Sequence, residues 1–402
     1  VPDCFAGRCF NRHHCYNLSD IWRWVVFVQP YFGKAEYPGA LRVGIFSEGF
    51  IKNLKRQFMK IYFETDYMAG ACQEIIDRLV ATNFEETVGY GCDEYTKRAE
   101  DLIKKACGKD NARVHFLVGG TQTNSTVIDG LLSRHEGVLA AESGHINVHE
   151  SGAIEACGHK VLTLPEYEGK VKVEDVENYI SNFYADDTYL HMVAPGMLYI
   201  SFPTEYGTIY SKKELQDIHS VCKKWDIPLY IDGARLGYGL AAEGNDVSLQ
   251  DIANLCDVFY IGGTKLGALF GEAVVVCNDS LLKNFFPLIK QHGALLAKGR
   301  LLGLQFECLF SNNLYERVSR HAVDMAMKIK QAFIAKGYNP VVNSNTNQQF
   351  FLLPNDFMDK LSEDVGFELW GPRGEKETKV RFVTSWATKE EDVDLLIKRL
   401  NF

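Results

Sequence analysis

Short apolar runs alternate with amphipathic stretches from residue 115 to residue 277, and this alternation constrains the fold more than any other feature. The runs are rich in Val, Ile, Leu and Tyr, which is typical of strands buried on both faces. Strands are predicted at 115–118, 137–141, 161–164, 197–202, 227–231, 258–261 and 273–277. Buried strands joined by helices form a mostly parallel central sheet with helices on both faces, so an α/β fold is expected.

The stretches between the runs carry apolar residues at helical spacing. Ser211 and Glu214 form a capping-box pattern, which predicts a helix that begins there and ends near residue 224. Further helices are predicted over 73–80, 95–107, 124–132, 173–180 and 248–255.

The pattern changes after Asn278, where long helical segments run to Lys336. Strands near 349–353 and 380–384 follow, and a helix over 390–400 comes last. This order indicates a smaller α+β domain at the carboxyl end. We therefore expect a large α/β domain over 59–300, which includes an N-terminal helical segment, and a small domain over 301–402.

Residues 1–58 differ from the rest, with eight Lys/Arg against four Asp/Glu and no sustained periodicity. A regular pattern begins only at Met59, so we expect residues 1–58 to be upstream or added sequence. The alternative is a genuine arm that packs on a partner subunit. Three cysteines and two histidines in this region do not have the spacing of a zinc site, and no metal is expected. These residues are Cys4, Cys9, His13, His14 and Cys15.

The formal charge of the chain is −9, and no basic tract is present. A mildly acidic surface does not favour binding to nucleic acid or to an anionic membrane, and no apolar run is long enough to cross a bilayer. The 11 cysteines are scattered and form no CxxC pair. Such usage is typical of a reduced protein, so a cytoplasmic location is expected.

A glycine-rich segment, 119–124, follows the predicted strand at 115–118 and begins a helix. Backbone N–H groups at Gly120 and the hydroxyl of Thr121 suit a phosphate, because a helix N-terminus carries partial positive charge. The segment is neither GxGxxG nor GxxxxGK[ST], so a dinucleotide or a nucleoside triphosphate is not favoured. The alternative is an ordinary glycine turn with Thr and Asn caps.

Three further polar residues follow predicted strands, where open α/β sheets bind ligands. His145 follows one strand and Asp232 ends another, while Lys265 lies after a third, among glycines and apolar residues. Each has a structural alternative: a hydrogen-bonded structural histidine, a carboxylate that caps a turn and a solvated loop lysine. Burial lowers the pKa of a lysine. A lysine that forms an imine needs such a lowered pKa, because the unprotonated amine is the nucleophile.

Taken together, these four places contain the groups needed to hold pyridoxal phosphate. The loop at Gly120 and Thr121 suits the phosphate, and His145 can stack on the ring. Asp232 can keep the ring nitrogen protonated, so that the ring draws electrons from Cα. Lys265 can form the Schiff base with the aldehyde.

Six stretches of the chain, in this order, resemble the threonine aldolase / β-eliminating lyase family of fold-type I pyridoxal-phosphate enzymes. The resemblance runs from about Met59 to the carboxyl end. The stretches are 88–93 (VGYGCD), 119–121 (GGT), 145–153 (HINVHESGA), 231–235 (IDGAR), the segment around Lys265 and 380–384 (VRFVT). The family implies cleavage of a β-hydroxy-α-amino acid, such as L-threonine or L-allo-threonine, to glycine and an aldehyde.

The resemblance also implies a role for each matching residue. Lys265 would be the Schiff-base lysine, Asp232 the partner of the ring nitrogen, and His145 the stacking residue and a base. Gly120 and Thr121 would bind the phosphate.

On the substrate side, the resemblance implies that Arg235 and Arg381 hold the substrate carboxylate, with a further contact from Arg235 to the cofactor. Thr65 and Tyr90 would line the substrate site, with Tyr90 reaching it from a neighbouring subunit of a homotetramer, a dimer of dimers with shared sites. Lys298 or Arg300 would reach a phosphate across that interface.

The chain departs from the common family pattern in two places. Residues 203–208 read PTEYGT where many relatives have Thr-His-Asn, and 262–267 read GGTKLG in place of Ser-Leu-Ser-Lys-Gly. The first departure leaves the preferred hydroxy amino acid and its Cβ configuration open. A β-eliminating lyase or an aminotransferase with the same cofactor is the alternative function, ahead of a non-catalytic member and a nicotinamide-dependent dehydrogenase.

Overall fold

The computed structural model describes residues 60–400, which lie within one compact unit. The expectations for residues 1–58, including the cysteines and histidines there, concern residues outside this range. None of the helices within 60–400 is both long enough and apolar enough to span a membrane.

The described residues form twelve strands. They are β1 (Ile61–Tyr62), β2 (Arg113–Leu117), β3 (Glu136–Ala141), β4 (Lys160–Leu164), β5 (Ala194–Ser201), β6 (Leu229–Asp232), β7 (Val258–Gly262), β8 (Glu272–Val276), β9 (Gln348–Pro354), β10 (Val365–Gly366), β11 (Glu368–Leu369) and β12 (Glu377–Val383).

Helices separate most of these strands. They are α1 (Gln73–Ala81), α2 (Glu94–Cys107), α3 (Gly120–Leu131), α4 (His145–Val148), α5 (Ala153–Ala156), α6 (Val173–Ala185), α7 (Lys212–Lys224), α8 (Leu236–Leu240), α9 (Leu249–Leu255), α10 (Phe285–Gln291), α11 (Arg300–Leu309), α12 (Leu314–Ala335), α13 (Asn355–Asp364) and α14 (Glu390–Arg399).

A seven-stranded sheet forms the centre, with strand order β2-β8-β7-β6-β5-β3-β4. Only β8 runs antiparallel to its two neighbours, β2 and β7, within this sheet. The remaining pairs are parallel. The expectation of a mostly parallel central sheet is therefore confirmed, and each of its strands coincides with an apolar run in the sequence.

Successive residues of the central strands alternate between two separate cores. Tyr230 and Tyr260 lie in one core, whereas Ile231 and Phe259 lie in the other. Side chains alternate across a strand with a period of two, so a strand that is apolar at every position must have apolar partners on both faces. Helices supply those partners, as the sequence predicts.

A second, antiparallel sheet of order β11-β12-β9 forms the carboxyl-terminal part, and β1 pairs with β10 nearby. The third core, beneath these strands, contains Phe63 from the start of the described chain together with Phe351 and Phe382. The α12 helix is shared, because Ala322 lies in a core of the large sheet and Ile329 in the third core. The division at residue 300 stays a prediction.

Local signals explain where two helices begin. The α7 helix has the predicted capping box, in which the Ser211 hydroxyl accepts from Glu214 N at 3.2 Å and the Glu214 carboxylate accepts from Ser211 N at 2.7 Å. At α2, the Asp93 carboxylate accepts from Thr96 N at 2.9 Å. Each cap satisfies backbone N–H groups that have no partner within the helix.

Candidate functional site

A cavity of about 270 Å³ lies at the edge of the central sheet where the parallel strands end. Residues that follow β2, β3, β5, β6 and β7 line it, and β8 contributes its first residue because it runs the opposite way. The lining residues that carry polar groups include Gly120, Thr121, Asn124, His145, Glu150, Glu205, Asp232, Thr264, Lys265 and Glu272. The structure thus brings the four sequence-predicted places into one cavity.

The N-terminus of α3 forms one part of the cavity wall. Its N-cap is Gly119, and within the described chain no side chain caps the first turn. Thr121 is exposed, so its hydroxyl and the first-turn N–H groups are available to a ligand. A Cβ at Gly120 would lie 3.4 Å from the Tyr260 hydroxyl, so glycine leaves room at this point. An anion suits such a helix end.

Asp232 is the last residue of β6 and is almost fully buried. Its Oδ2 accepts from Tyr199 Oη at 2.6 Å and from Asn124 Nδ2 at 3.1 Å, and its Oδ1 accepts from Ala234 N at 2.9 Å. Burial opposes the negative charge, but His145 and the hydrogen bonds from tyrosine hydroxyls outweigh it, so the pKa of Asp232 is lowered. No lysine or arginine among residues 60–400 forms an ion pair with it.

His145 begins the short α4 helix, and its Nδ1 lies 2.7 Å from Glu150 Oε1. The same carboxylate oxygen accepts from Asn124 Nδ2 at 2.8 Å. Burial favours the neutral ring, but the Glu150 hydrogen bond and the charges of Glu205 and Asp232 outweigh it, so the pKa of His145 is raised. Glu150 therefore fixes the ring orientation and favours the protonated form.

Lys265 lies in the 3₁₀ turn Thr264–Leu266 that follows β7. The backbone of this turn is fixed by Tyr238 Oη, which donates to Lys265 O at 2.6 Å. Burial and the positive charge of Arg235 lower the pKa of Lys265, while nearby carboxylates including that of Asp66 act in the opposite direction. The amine is thus more nucleophilic at neutral pH than that of an ordinary lysine.

Arg235 is buried and forms a two-point ion pair with the carboxylate of Asp66. Its Nε lies 2.7 Å from Asp66 Oδ2, and its Nη2 lies 3.1 Å from Asp66 Oδ1. Asn347 Nδ2 also donates to Asp66 Oδ2 at 2.9 Å. Sequence reasoning singled out Thr65 and missed its neighbour Asp66, although an acidic residue just after the first buried strand was a usable signal.

Arg381 lies on β12, where its Nη1 donates to Gln348 Oε1 at 2.8 Å and its Nη2 donates to Glu368. Its guanidinium carbon lies 4.4 Å from the centre of the Trp370 ring. Burial and the positive charge of Arg235 lower the pKa of Arg381. Such a pair of arginines suits a carboxylate ligand.

Several sequence-predicted residues are not among those that line the cavity, namely Thr65, Tyr90, Arg235, Lys298, Arg300 and Arg381. Thr65 is half-buried beside Asp66. Tyr90 has a φ of +62° and is 45% exposed, and its N donates to Ala297 O at 3.1 Å. Arg300 donates through Nη2 to Thr82 O at 2.9 Å within the same chain.

The structure adds three site residues that sequence reasoning did not assign. Asn124 and Glu150 lie inside stretches that the sequence singled out, and together they join His145 to Asp232. Glu272 begins β8 and accepts from Gly263 N at 3.0 Å, and burial raises the pKa of Glu272 to about 8. The sequence signal for Glu272 was its position as an acidic residue directly before the apolar run at 273–277.

Comparisons with known proteins point to one family. The model of a family described as beta-eliminating lyase matches residues 63–353. A threonine aldolase structure from Leishmania major superposes with a TM-score of 0.82 and 41% identity, over 85% of this chain and 98% of that chain.

Two proteins of lower identity are also similar to this chain. A low-specificity L-threonine aldolase of Pseudomonas sp. (strain NCIMB 10558) is 28% identical over 335 residues, which are 82% of this chain and 94% of the relative. An aspartate aminotransferase of Thermus thermophilus superposes with a TM-score of 0.62 at 16% identity, over 87% of this chain and 93% of that chain. The latter likeness shows the fold alone, and the fold class expected from the sequence is confirmed.

Proposed function

The chain belongs to the beta-eliminating lyase family, and from this premise we propose that it cleaves L-threonine or L-allo-threonine to glycine and an aldehyde. The reaction is a retro-aldol cleavage that depends on pyridoxal phosphate. The observation that carries the proposal is the meeting of Lys265, Asp232 and the N-terminus of α3 in one cavity, in a chain 41% identical to a threonine aldolase.

The residues of the cavity fit pyridoxal phosphate. The uncapped N-terminus of α3, with Gly120 and Thr121, suits the phosphate. The buried Asp232 carboxylate, which has no lysine or arginine partner among the described residues, suits a protonated ring nitrogen. The bound cofactor supplies an electron-accepting ring that stabilises negative charge at Cα.

Three residues of the chain would bind the cofactor and set its protonation state. Lys265, with its lowered pKa, provides the amine that binds the cofactor aldehyde. Asp232 stays ionised, because its pKa is lowered, and keeps the ring nitrogen protonated. His145, oriented by Glu150, would stack on the ring of the bound cofactor.

The substrate carboxylate is held by arginine. Arg381 binds it, and Arg235 presents to it the N–H groups of Nη1 and Nη2 that lie outside the ion pair with Asp66. Two fixed positive groups orient the Cα–Cβ bond, which is the condition for selective cleavage of that bond. Thr65 would contact the substrate from the segment beside Asp66.

We further propose a homotetramer built from dimers, in which Tyr90 reaches the site of a neighbouring subunit. Its exposure, outside the lining of its own cavity, supports this role. Lys298 or Arg300 would reach a phosphate across the same interface. We also propose that the protein is located in the cytoplasm.

The test is aldehyde release from L-threonine and L-allo-threonine, coupled to a nicotinamide-linked alcohol dehydrogenase. We expect release with glycine as the second product, and the ratio of the two rates gives the Cβ preference. A protein that shows the cofactor absorbance and releases no aldehyde would contradict the proposal. Detection of ammonia, or a requirement for a keto acid, would then indicate elimination or transamination.

A further inference from the structure

Glu205 places a carboxylate in the wall of the same cavity as Lys265. It follows β5, and only 8% of its surface is exposed. Its negative charge acts on the groups around it, since it favours the protonated forms of His145, Arg235 and Lys265 and so contributes an upward effect to the pKa of each. A carboxylate that influences these three groups lies where the substrate would be bound.

The loop that carries Glu205 is held in one conformation. Thr204 N donates to Thr208 O at 2.9 Å, and Gly207 N donates to Thr204 O at 2.8 Å. Gly207 has a φ of +73°, and a Cβ there would lie 2.4 Å from Ser344 Oγ. The carbonyl of Gly207 also accepts from Ser344 Oγ at 3.1 Å. A residue on such a loop has a fixed backbone position, as a group that acts on a substrate requires.

The neighbouring carboxylates are already engaged by protein groups. Asp232 accepts from Tyr199 and Asn124. Glu150 Oε1 accepts from Asn124 and lies against His145, whereas Glu150 Oε2 is buried and has no hydrogen-bond partner among the described residues. Glu272 accepts from Gly263 N.

In contrast, no group within residues 60–400 donates a hydrogen bond to the Glu205 carboxylate. Glu205 therefore has oxygen atoms available to a ligand in the cavity. His145 differs, because its Nδ1 is engaged by Glu150.

We propose that Glu205 is the catalytic residue that accepts the proton of the substrate β-hydroxyl group. This inference rests on the proposed retro-aldol function and names the base for that step. As the proton moves to the Glu205 carboxylate, the oxygen forms the aldehyde carbonyl and the Cα–Cβ bond breaks. The electron pair stays on Cα, which then receives one proton to give glycine, so the reaction has no net gain or loss of protons.

A purely electrostatic role for Glu205, acting through His145, makes a different prediction. Removing its charge would then alter every step that depends on His145, including exchange of the Cα proton of glycine. Glycine has no β-hydroxyl group, so this exchange does not need the proposed base. The two reactions therefore separate proton acceptance from a general effect on the site.

The experiment compares wild type, Glu205→Gln and Glu205→Asp, each as the full chain loaded with pyridoxal phosphate. Cleavage is measured as aldehyde release from the better of L-threonine and L-allo-threonine. Exchange is measured by NMR as the loss of the Cα proton signal of glycine in D₂O. The exposed Glu174→Gln variant is the matched control, and it should cleave as wild type does.

We expect Glu205→Gln to lower kcat for cleavage by at least about 100-fold, which is the lower end of the contribution of general base catalysis. Glycine exchange should stay within about threefold of wild type, and Glu205→Asp should recover part of the cleavage rate, because a positioned carboxylate remains the base. Unchanged cleavage in Glu205→Gln would overturn the assignment, as would an equal loss of cleavage and exchange. Failure of the wild type to release aldehyde would instead overturn the proposed function.

Discussion

Asp66 and Arg235 form a two-point ion pair, with distances of 2.7 Å from Nε to Oδ2 and 3.1 Å from Nη2 to Oδ1. Both side chains are buried, at 0% and 7% exposure for Asp66 and Arg235 respectively. Asp66 follows β1, which pairs with β10, whereas Arg235 follows β6 of the central sheet. The pair thus connects the two sheets beside the cavity.

Replacing Asp66 by Asn should destabilise the protein by about 3–5 kcal/mol, because it leaves the buried Arg235 charge without its partner. Burial opposes the charge of Asp66, but Arg235 and Lys265 outweigh it and the pKa of Asp66 is lowered. The stabilisation is therefore present above the unfolded-state pKa and is lost as pH falls through the folded-state value. Denaturant unfolding at pH 7 and at about pH 3, below the ordinary Asp pKa of 3.8, measures both effects.

The control for this change is Glu74→Gln, which breaks the exposed pair between Glu74 and Arg317. Exposed pairs contribute about 0–1 kcal/mol, so this variant should unfold almost as wild type does. Equal losses of unfolding free energy in the two variants would show that the buried pair of Asp66 with Arg235 contributes no more to stability than an exposed pair.

Lys265→Ala should abolish turnover and the absorbance band of the bound cofactor, since no other lysine lines the cavity within the described chain. Lys213→Ala is the matched control, because its side chain is 76% exposed and lies on α7. Both proteins are incubated with pyridoxal phosphate, desalted, and examined by absorbance and by aldehyde release. A persistent band in Lys265→Ala would assign the cofactor linkage to a different lysine.

The central sheet could be predicted because its strands are buried on both faces and therefore leave continuous apolar runs in the sequence. The positions of Asp232 and Lys265 also followed, since Asp232 comes directly after such a run and Lys265 lies a few residues after another. The pair of Asp66 and Arg235 could not, because its members are 169 residues apart and meet only through the fold. The contact of His145 with Glu150 spans five residues and was within reach of sequence reasoning.

The direction of β8 could not be predicted from the sequence either, since a buried strand gives the same apolar run whether it is parallel or antiparallel to its neighbours. That direction decides where Glu272 lies, because it brings the first residue of β8 to the cavity edge. Sequence order alone would place this residue at the opposite edge of a fully parallel sheet. The departure at residues 203–208 was visible, but only the fold shows that Glu205 reaches the cavity.

Tyr199→Phe should weaken activity most strongly at low pH. Tyr199 Oη donates to Asp232 at 2.6 Å, and a hydrogen bond to a charged group contributes about 1.5–3 kcal/mol. Without it the pKa of Asp232 rises, so the acid limb of the pH profile of kcat/KM should move to higher pH. Tyr315→Phe is the control, because this buried hydroxyl accepts from Gly237 N instead. A limb that moves equally in both variants would contradict this assignment.

Glu272→Gln should remove a pH-dependent loss of stability. Burial raises the pKa of Glu272 from its ordinary value of 4.5 to about 8, so the folded protein retains a proton that the unfolded chain releases. Between these two values stability falls as pH rises, by up to about 1.4 kcal/mol for each pH unit. The variant lacks this dependence, so its unfolding free energy should fall less than that of wild type between pH 5 and pH 8.

The measurement is denaturant unfolding of both proteins at pH 5 and pH 8, prepared without cofactor so that binding does not contribute. The change between the two pH values is compared, because the new amide group shifts stability by an amount that does not depend on pH. Glu174→Gln, an exposed change on α6, should behave as wild type does. Parallel pH dependence in wild type and Glu272→Gln would show that Glu272 is already ionised in the folded protein at pH 5.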